Sequence, residues 1–373
     1  MKIVVLTNEL PPYRRFLFSY LSRHIENIKF YFVLNTKVEP FRTWNEVDLD
    51  NVFIVKSIKI NSSFGYLYIP DFFHLFNIIR KIRPDVIITS QLGLFSFYSI
   101  VFKIILKSKI ILWLEHHQYA DVKINFARKI LRKVILHNVD AFWFYGNLSY
   151  NYFKDYINDR PYIVGSQIYN FEEFYNKINQ ISSDFRDTLK SRLNLRDYDK
   201  IIAYVGRLES YKGVDLLLSY WDRIQKSFPD LKIALIIIGY GSLEKKIQSI
   251  LSNIPNVYYI GKVNYSEIHI YYSIIDLLIF PTIWETWGFV VDEALCAGIP
   301  VLVSYRAGAS ELVNDGVNGS VIDPFDIEDI VKKIKIWLFV EDRKKISANY
   351  INVAKANLEN LISQFIKLIN IKM

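Results

Sequence analysis

The sequence predicts an α/β protein made of two doubly wound units, each around a mostly parallel sheet. Three observations lead there. Short apolar runs of strand type alternate with helical runs along the whole chain, the pattern of βαβ units. The length, 373 residues, is that of two domains at roughly 100–200 residues each. Hydrophobic residues make up 51% of the chain and aromatics 16%, enough to fill two cores, and no long segment has the polarity and charge of a disordered tract.

Taken in order, KIVVLT (2–7) reads as the first strand, and Arg14 to His24 as a helix after the Pro11-Pro12 breaker. Lys29 to Leu34 is a strand, and Asp71 to Ile82 is a helix stopped near Pro84. DVIIT (85–89) and KIILWL (109–114) are apolar runs of buried-strand type. Ala127 to His137 is a basic helix, and Ala141 to Tyr145 another strand. The apolar run at the N-terminus is too short for a signal-peptide core. Val86 to Phe102 is weakly polar but interrupted by Thr89, Ser90, Gln91, Ser96 and Ser99, so it reads as a buried strand, a loop and a core helix rather than a membrane span.

The second half repeats the alternation. Its strands are predicted at 201–206, 232–239, 257–261, 276–281, 300–304 and 319–323. Its helices fall at 214–227, 243–251, 265–272, 289–297 and 310–313. The polar segment Gly165 to Asp199 reads as the linker and the beginning of the second unit. Domains are therefore expected at 1–168 and 169–353, with an amphipathic helix from about Ala354 packing back on the first. The lone cysteine, Cys296, excludes an intrachain disulfide and a cysteine-based zinc site, and fits a buried thiol in a reducing, cytoplasmic setting. Charge is uneven: residues 1–168 carry 22 Lys+Arg against 13 Asp+Glu, and residues 169–373 carry 24 against 25. The basic first half points to an anionic partner.

In open α/β sheets, ligands bind outside the carboxyl ends of the strands. The informative residues fall there. Gly206-Arg207 follows a strand and Lys212-Gly213 opens a helix, so the two cations can converge on a diphosphate; the pattern also fits two solvated surface charges. Gly239-Tyr240-Gly241-Ser242 is a strand-to-helix turn offering backbone N–H groups, without the third glycine of a dinucleotide fingerprint. In PTIWETWGFVVDEALCAGIPVLVS (281–304), Glu285 lies in a loop, Gly288 permits close approach, and Glu293 lies near the start of the following helix. Carboxylates there suit sugar hydroxyls, and the Phe289 and Val290 amides suit a phosphate; a loop acid and a helix-dipole acid would look the same in isolation.

Together, GRLESYKGVDLLL (206–218), GYGSLEKKI (239–247), ETWGFVVDEALCAGIPV (285–301) and GASELVNDGVNG (308–319) resemble family 4 of the glycosyltransferases. These are retaining, metal-independent enzymes of the GT-B fold, with two Rossmann-like domains facing each other across a cleft. The likeness is specific over about 201–325 and diffuse over the first 170 residues. It implies a nucleotide-sugar donor and a glycan or polyprenyl-linked acceptor. Arg207 and Lys212 would hold the diphosphate, Glu293 the ribose, and Glu285 with the backbone of Trp287 to Phe289 the transferred hexose. Where many relatives have a Gly-Gly loop, this chain has NELPPYRR (8–15), whose prolines donate no hydrogen bond. Either Arg14 or Arg15 supplies the charge to the phosphate instead, or the loop, with Tyr13 and Arg14, serves the acceptor side, which is the favoured reading. His116 and His117 follow a strand where the family places a polar residue near the reacting sugar; His117 is favoured as catalytic and His116 as acceptor-side, although packing roles fit both.

The expected reaction is hexosyl transfer with retention, without a metal, in surface-polysaccharide or glycoconjugate synthesis. An epimerase or hydrolase of the same fold and a non-catalytic nucleotide-sugar binder are the alternatives. The basic helix ARKILRKVILH (127–137) suits the cytoplasmic face of an anionic membrane, or simply a solvated surface. No aromatic-basic motif for nucleic acid is present.

Overall fold

The computed structural model describes residues 1–37, 51–62, 65–121, 126–165 and 169–370. Two compact units emerge: Met1–Ile168 with Ala356–Met373, and Tyr169–Lys355.

The first unit runs β1 (Lys2–Thr7), α1 (Pro12–His24), β2 (Lys29–Leu34), β3 (Val52–Ile54), β4 (Ser57–Ser62), β5 (Gly65–Pro70), α2 (Phe72–Ile82), β6 (Val86–Thr89), α3 (Leu94–Leu106), β7 (Lys109–Leu114), α4 (Phe126–Asn138), β8 (Ala141–Phe144), α5 (Asn147–Phe153) and β9 (Tyr162–Val164). Seven strands form a parallel sheet in the order β3-β2-β1-β6-β7-β8-β9, and β4 and β5 make a separate antiparallel hairpin. Side chains alternate across β1. Val4 and Leu6 join Leu75, Ile79 and Phe102 from α2 and α3. On α1, Phe18 packs edge-on against Trp113 at 5.5 Å and lies 5.0 Å from Phe30. The Pro11-Pro12 pair starts α1 rather than delaying it. Pro12 occupies the first turn, where its missing N–H has no helical partner to lose.

The second unit runs α6 (Phe171–Asn179), α7 (Ser183–Arg192), β10 (Lys200–Val205), α8 (Val214–Lys226), β11 (Ile233–Ile238), α9 (Glu244–Leu251), β12 (Val257–Gly261), α10 (Ile268–Tyr272), β13 (Leu277–Phe280), α11 (Phe289–Cys296), β14 (Val301–Ser304), β15 (Gly319–Ile322), α12 (Ile327–Trp337) and α13 (Arg343–Ile369). Its six parallel strands take the order β12-β11-β10-β13-β14-β15. Every residue of β11, IALIII, is buried, as expected for a strand covered on both faces. Trp221 of α8 is fully buried, its indole N–H donating to the Pro255 carbonyl at 3.1 Å.

Two stretches differ from the sequence-based expectation. Residues 171–192 hold two capped helices where a polar linker was expected: Asn170 accepts from the Glu173 N–H, and Ser182 from that of Phe185. No residue of α7 is buried, so the apolar periodicity that announces a helix is absent. The last helix begins at Arg343, well before Ala354; Tyr350 is buried within the second unit, and Phe365 packs 5.4 Å from Trp143 of the first.

Candidate active site

In the second unit the strand order reverses between β10 and β13, which are neighbours. The loops after them, 206–213 and 281–288, therefore leave the carboxyl edge side by side, at the position where such sheets open a crevice. The turn after β11 lies on the other flank of β10. Backbones in these loops touch. A Cβ on Gly239 would fall 1.8 Å from the Gly206 carbonyl oxygen. One on Gly213, whose φ is +74°, would fall 2.1 Å from that of Pro281. Only glycine permits both approaches.

Tyr211 ties two of these loops together. Its carbonyl accepts from Thr282 Oγ1 at 3.0 Å and from the Ile283 N–H at 2.8 Å. Its ring stacks on Trp284, with centroids 4.4 Å apart and planes 12° from parallel. The next residue of each loop then meets its counterpart: Lys212 Nζ forms an ion pair with Glu285 Oε2, with both side chains largely buried. Lys212 Nζ also lies 5.3 Å from the Tyr211 ring centroid, and Arg207 Nη1 lies 3.5 Å from the Tyr211 hydroxyl. The ring thus has one cation over its face and another at its hydroxyl. Arg207 Nη2 donates to Glu209 Oε1 at 2.9 Å, and Glu209 also accepts from the Ser242 hydroxyl at 2.5 Å and the Ser242 N–H at 3.3 Å. Arg207, Lys212, Glu285, Gly206, Gly239 and Gly241 are therefore gathered at one edge.

The residues of α11 are placed differently. Gly288 caps the helix in a left-handed conformation, and Phe289 and Val290 form its first turn. Trp287 is buried, its indole donating to Asp292 Oδ2 at 2.8 Å, while Tyr350 donates to Asp292 Oδ1 at 2.8 Å. Glu293 is also buried and accepts from the Tyr272 hydroxyl at 2.8 Å. Burial pushes the Glu293 carboxyl up to about 8 and that of Asp292 to about 7; the Tyr272 bond opposes the first shift, and the Tyr350 and Trp287 bonds oppose the second. Cys296 is buried too, its thiol facing the Phe171 carbonyl at 3.3 Å.

In the first unit the sheet reverses between β1 and β6. Arg14, on the helix after β1, is buried. It donates to Thr7 Oγ1, to the Tyr145 hydroxyl at 2.8 Å and to Glu115 Oε2 at 3.4 Å, with its guanidinium 5.0 Å from the Trp113 ring centroid. Tyr13 beside it is half-buried. His117, the favoured histidine, is 1% exposed with its ring 5.9 Å from Tyr119, whereas His116 is partly exposed. Burial lowers both, His117 to about 4, so neither carries charge at neutral pH.

The structure adds Glu209, Tyr211, Tyr272 and Trp284 to the residues expected from sequence, and gives the Ser242 hydroxyl a partner as well as its N–H. Tyr211 and Trp284 had a signal, since each directly precedes a member of the Lys212–Glu285 pair. Glu209 had none, because it meets Ser242 only when the loops after β10 and β11 come together.

Residues 185–356 match the family model described as glycosyl transferases group 1. A GDP-mannose-dependent alpha-mannosyltransferase of Corynebacterium glutamicum is 30% identical over 144 residues, covering 39% of this chain and 32% of that protein. A lipopolysaccharide 1,2-N-acetylglucosaminetransferase of Salmonella typhimurium is 28% identical over 192 residues, 48% of this chain and 50% of the other. These matches thus span half or less of the relatives' own length. By structure, Anabaena HepE in complex with UDP superposes with a TM-score of 0.71 at 15% identity, covering 98% of this chain and 99% of that one. The two doubly wound parallel sheets are those of the GT-B fold, and over residues 185–356 the chain is similar to the group 1 glycosyl transferases.

Proposed function

We propose that the chain transfers a hexosyl group from a nucleoside-diphosphate sugar to a hydroxyl of a glycan or lipid-linked acceptor, retaining the anomeric configuration. The observation that carries this reading is the Arg207–Tyr211–Lys212–Glu285 constellation at the reversal of the second sheet. Arg207 and Lys212 receive the diphosphate, whose negative charge grows as the bond to the sugar breaks; stabilising that charge is electrostatic catalysis. Glu285, with the backbone at Trp287 to Phe289, accepts from hydroxyls of the hexose, and Glu293, held by Tyr272, accepts from the ribose. The acceptor oxygen attacks the anomeric carbon from the face the diphosphate leaves, and the departing phosphate oxygen takes the acceptor proton. No protein nucleophile and no metal enter this scheme. Tyr13 and His116 serve the acceptor side, and Arg14 acts there through Glu115 and Tyr145.

The Anabaena relative's UDP and the Corynebacterium relative's GDP-mannose make uridine and guanosine donors the first to try. A thermal-shift screen of their sugars tests the reading, since ligand at 100 times its dissociation constant adds about 2.7 kcal/mol to stability. No stabilisation by any nucleotide sugar overturns it. Donor incubated without acceptor separates transfer from epimerisation or hydrolysis, because the latter two turn over fully under those conditions. Transfer undiminished in EDTA is expected.

A peripheral membrane contact on the cytoplasmic face is part of the proposal. Phe126, Ile130 and Val134 recur every fourth residue on α4, are 77%, 49% and 38% exposed, and are flanked by Arg128, Lys129 and Lys133. No described helix is long and apolar enough to cross a membrane. Such a stripe among cations suits the surface of an anionic bilayer. Pelleting with vesicles of phosphatidylglycerol at low salt tests it; absence from the pellet removes this partner.

A further inference from the structure

The proposed diphosphate site already contains an anion. The Glu209 carboxylate is held by the Arg207 guanidinium at 2.9 Å, by the Ser242 hydroxyl at 2.5 Å and by the Ser242 backbone N–H at 3.3 Å. A guanidinium, a hydroxyl and an N–H of a Gly-Tyr-Gly-Ser turn are the donor set that a phosphate group takes. Glu209 lies in the loop after β10, Ser242 in the turn after β11, and their meeting is fixed by backbone contact: a Cβ on Gly241 would fall 2.5 Å from the Leu208 carbonyl oxygen. The Arg207 side chain is 33% exposed, so its guanidinium can be reached from solvent, while that of Glu209 is largely buried at 16%.

We infer that Glu209 is an internal surrogate for the donor's diphosphate. In the donor-free chain it neutralises Arg207 and fastens the two loops in register. When the donor arrives, two anions compete for one guanidinium and one turn, so Glu209 must yield its contacts. Glu209 thereby weakens the hold on the nucleoside diphosphate, the product that has to leave after transfer. This inference rests on the diphosphate assignment of Arg207 and goes beyond it by giving Glu209 an opposing role. Glu209 is a positioning residue and touches no reacting atom.

The test is calorimetric titration of the full chain with UDP, GDP and inorganic pyrophosphate, comparing wild type with Glu209→Gln, Glu209→Ala and Arg207→Ala. Glutamine keeps the shape and removes the charge. Relief of like-charge repulsion is expected to tighten the nucleoside diphosphate on the order of threefold to tenfold in Glu209→Gln, with Glu209→Ala at least as tight as wild type. Tighter binding is an outcome that loop damage does not produce. It should come with a lower kcat and a lower KM for the donor where product release limits turnover. If both Glu209 variants bind as wild type or more weakly while Arg207→Ala loses binding, the surrogate role is wrong and the donor site stands. If Arg207→Ala binds all three probes as well as wild type does, the donor assignment itself fails, and the inference with it.

Discussion

Each unit carries an arginine beyond the first strand of its sheet, and the two are used in opposite ways. Arg14 is buried and fastened by Thr7, Tyr145 and Glu115, with the Trp113 ring alongside. Its partners come from β1 and from residues directly after β7 and β8. Arg207 is one-third exposed, and its carboxylate partner lies two residues away in the same loop. A cation locked by three separate strand ends braces a sheet edge. A cation held by a short, half-open contact can exchange that contact for a ligand. Sheet topology puts both arginines where ligands bind; burial and the origin of the partners decide which one a ligand can reach.

The largest effect that would break this contrast is on stability. Arg14→Met is expected to cost about 3–5 kcal/mol, because it leaves the Glu115 carboxylate without its cation in a half-buried place. Urea denaturation measures it, and a change within about 0.5 kcal/mol, the range of ordinary surface substitutions, would make Arg14 a ligand-facing group like Arg207. Next come the cations and carboxylates proposed for the donor site. Lys212→Ala and Glu293→Ala should each lower turnover at least about tenfold with the fold intact, as removal of a charge-stabilising group does. Wild-type rates in both variants would remove the site assignment.

Tyr211→Ala should sharpen the comparison from the other side. It leaves the Tyr211 carbonyl contacts in place and removes only the ring that both cations touch. A rise in donor KM with a smaller loss in stability, about 1 kcal/mol for the lost aromatic stack, is expected. A separate test concerns pH. Folding raises Glu293 from its ordinary 4.5 to about 8 and Asp292 from 3.8 to about 7. The folded chain thus holds protons that the unfolded chain has released, and stability of the donor-free chain falls as pH rises from about 5 to about 8. Thermal unfolding across that window should show the fall, and Glu293→Gln should flatten it. A wild-type midpoint independent of pH would contradict the burial of both carboxyls as free acids.

Much of the second unit was legible because β10, β11 and β13 are apolar runs followed directly by glycine or proline, with Arg207 one residue and Glu285 four residues beyond that breaker. Of the helices in 171–192, α7 was not legible because it is polar and buries no residue, and α6 shows only the short stripe Phe171, Phe174 and Ile178 within nine residues. The choice between His116 and His117 was not legible either. Neighbouring side chains diverge, and only the packing around β7 buries one and leaves the other partly open.

By itself, the sequence determined the alternating α/β architecture, the segments proposed for the donor, and which residue types stand after each strand. Local periodicity and turn chemistry are sufficient for those. Only the tertiary structure decided which of these residues share a contact: Lys212 with Glu285, Glu209 with Ser242, Arg14 with Tyr145. Those pairs lie 73, 33 and 131 residues apart, and nothing local in the chain encodes them. They arise because strands distant in sequence run parallel in one sheet, so that the segments beyond their carboxyl ends lie at the same edge within reach of one another.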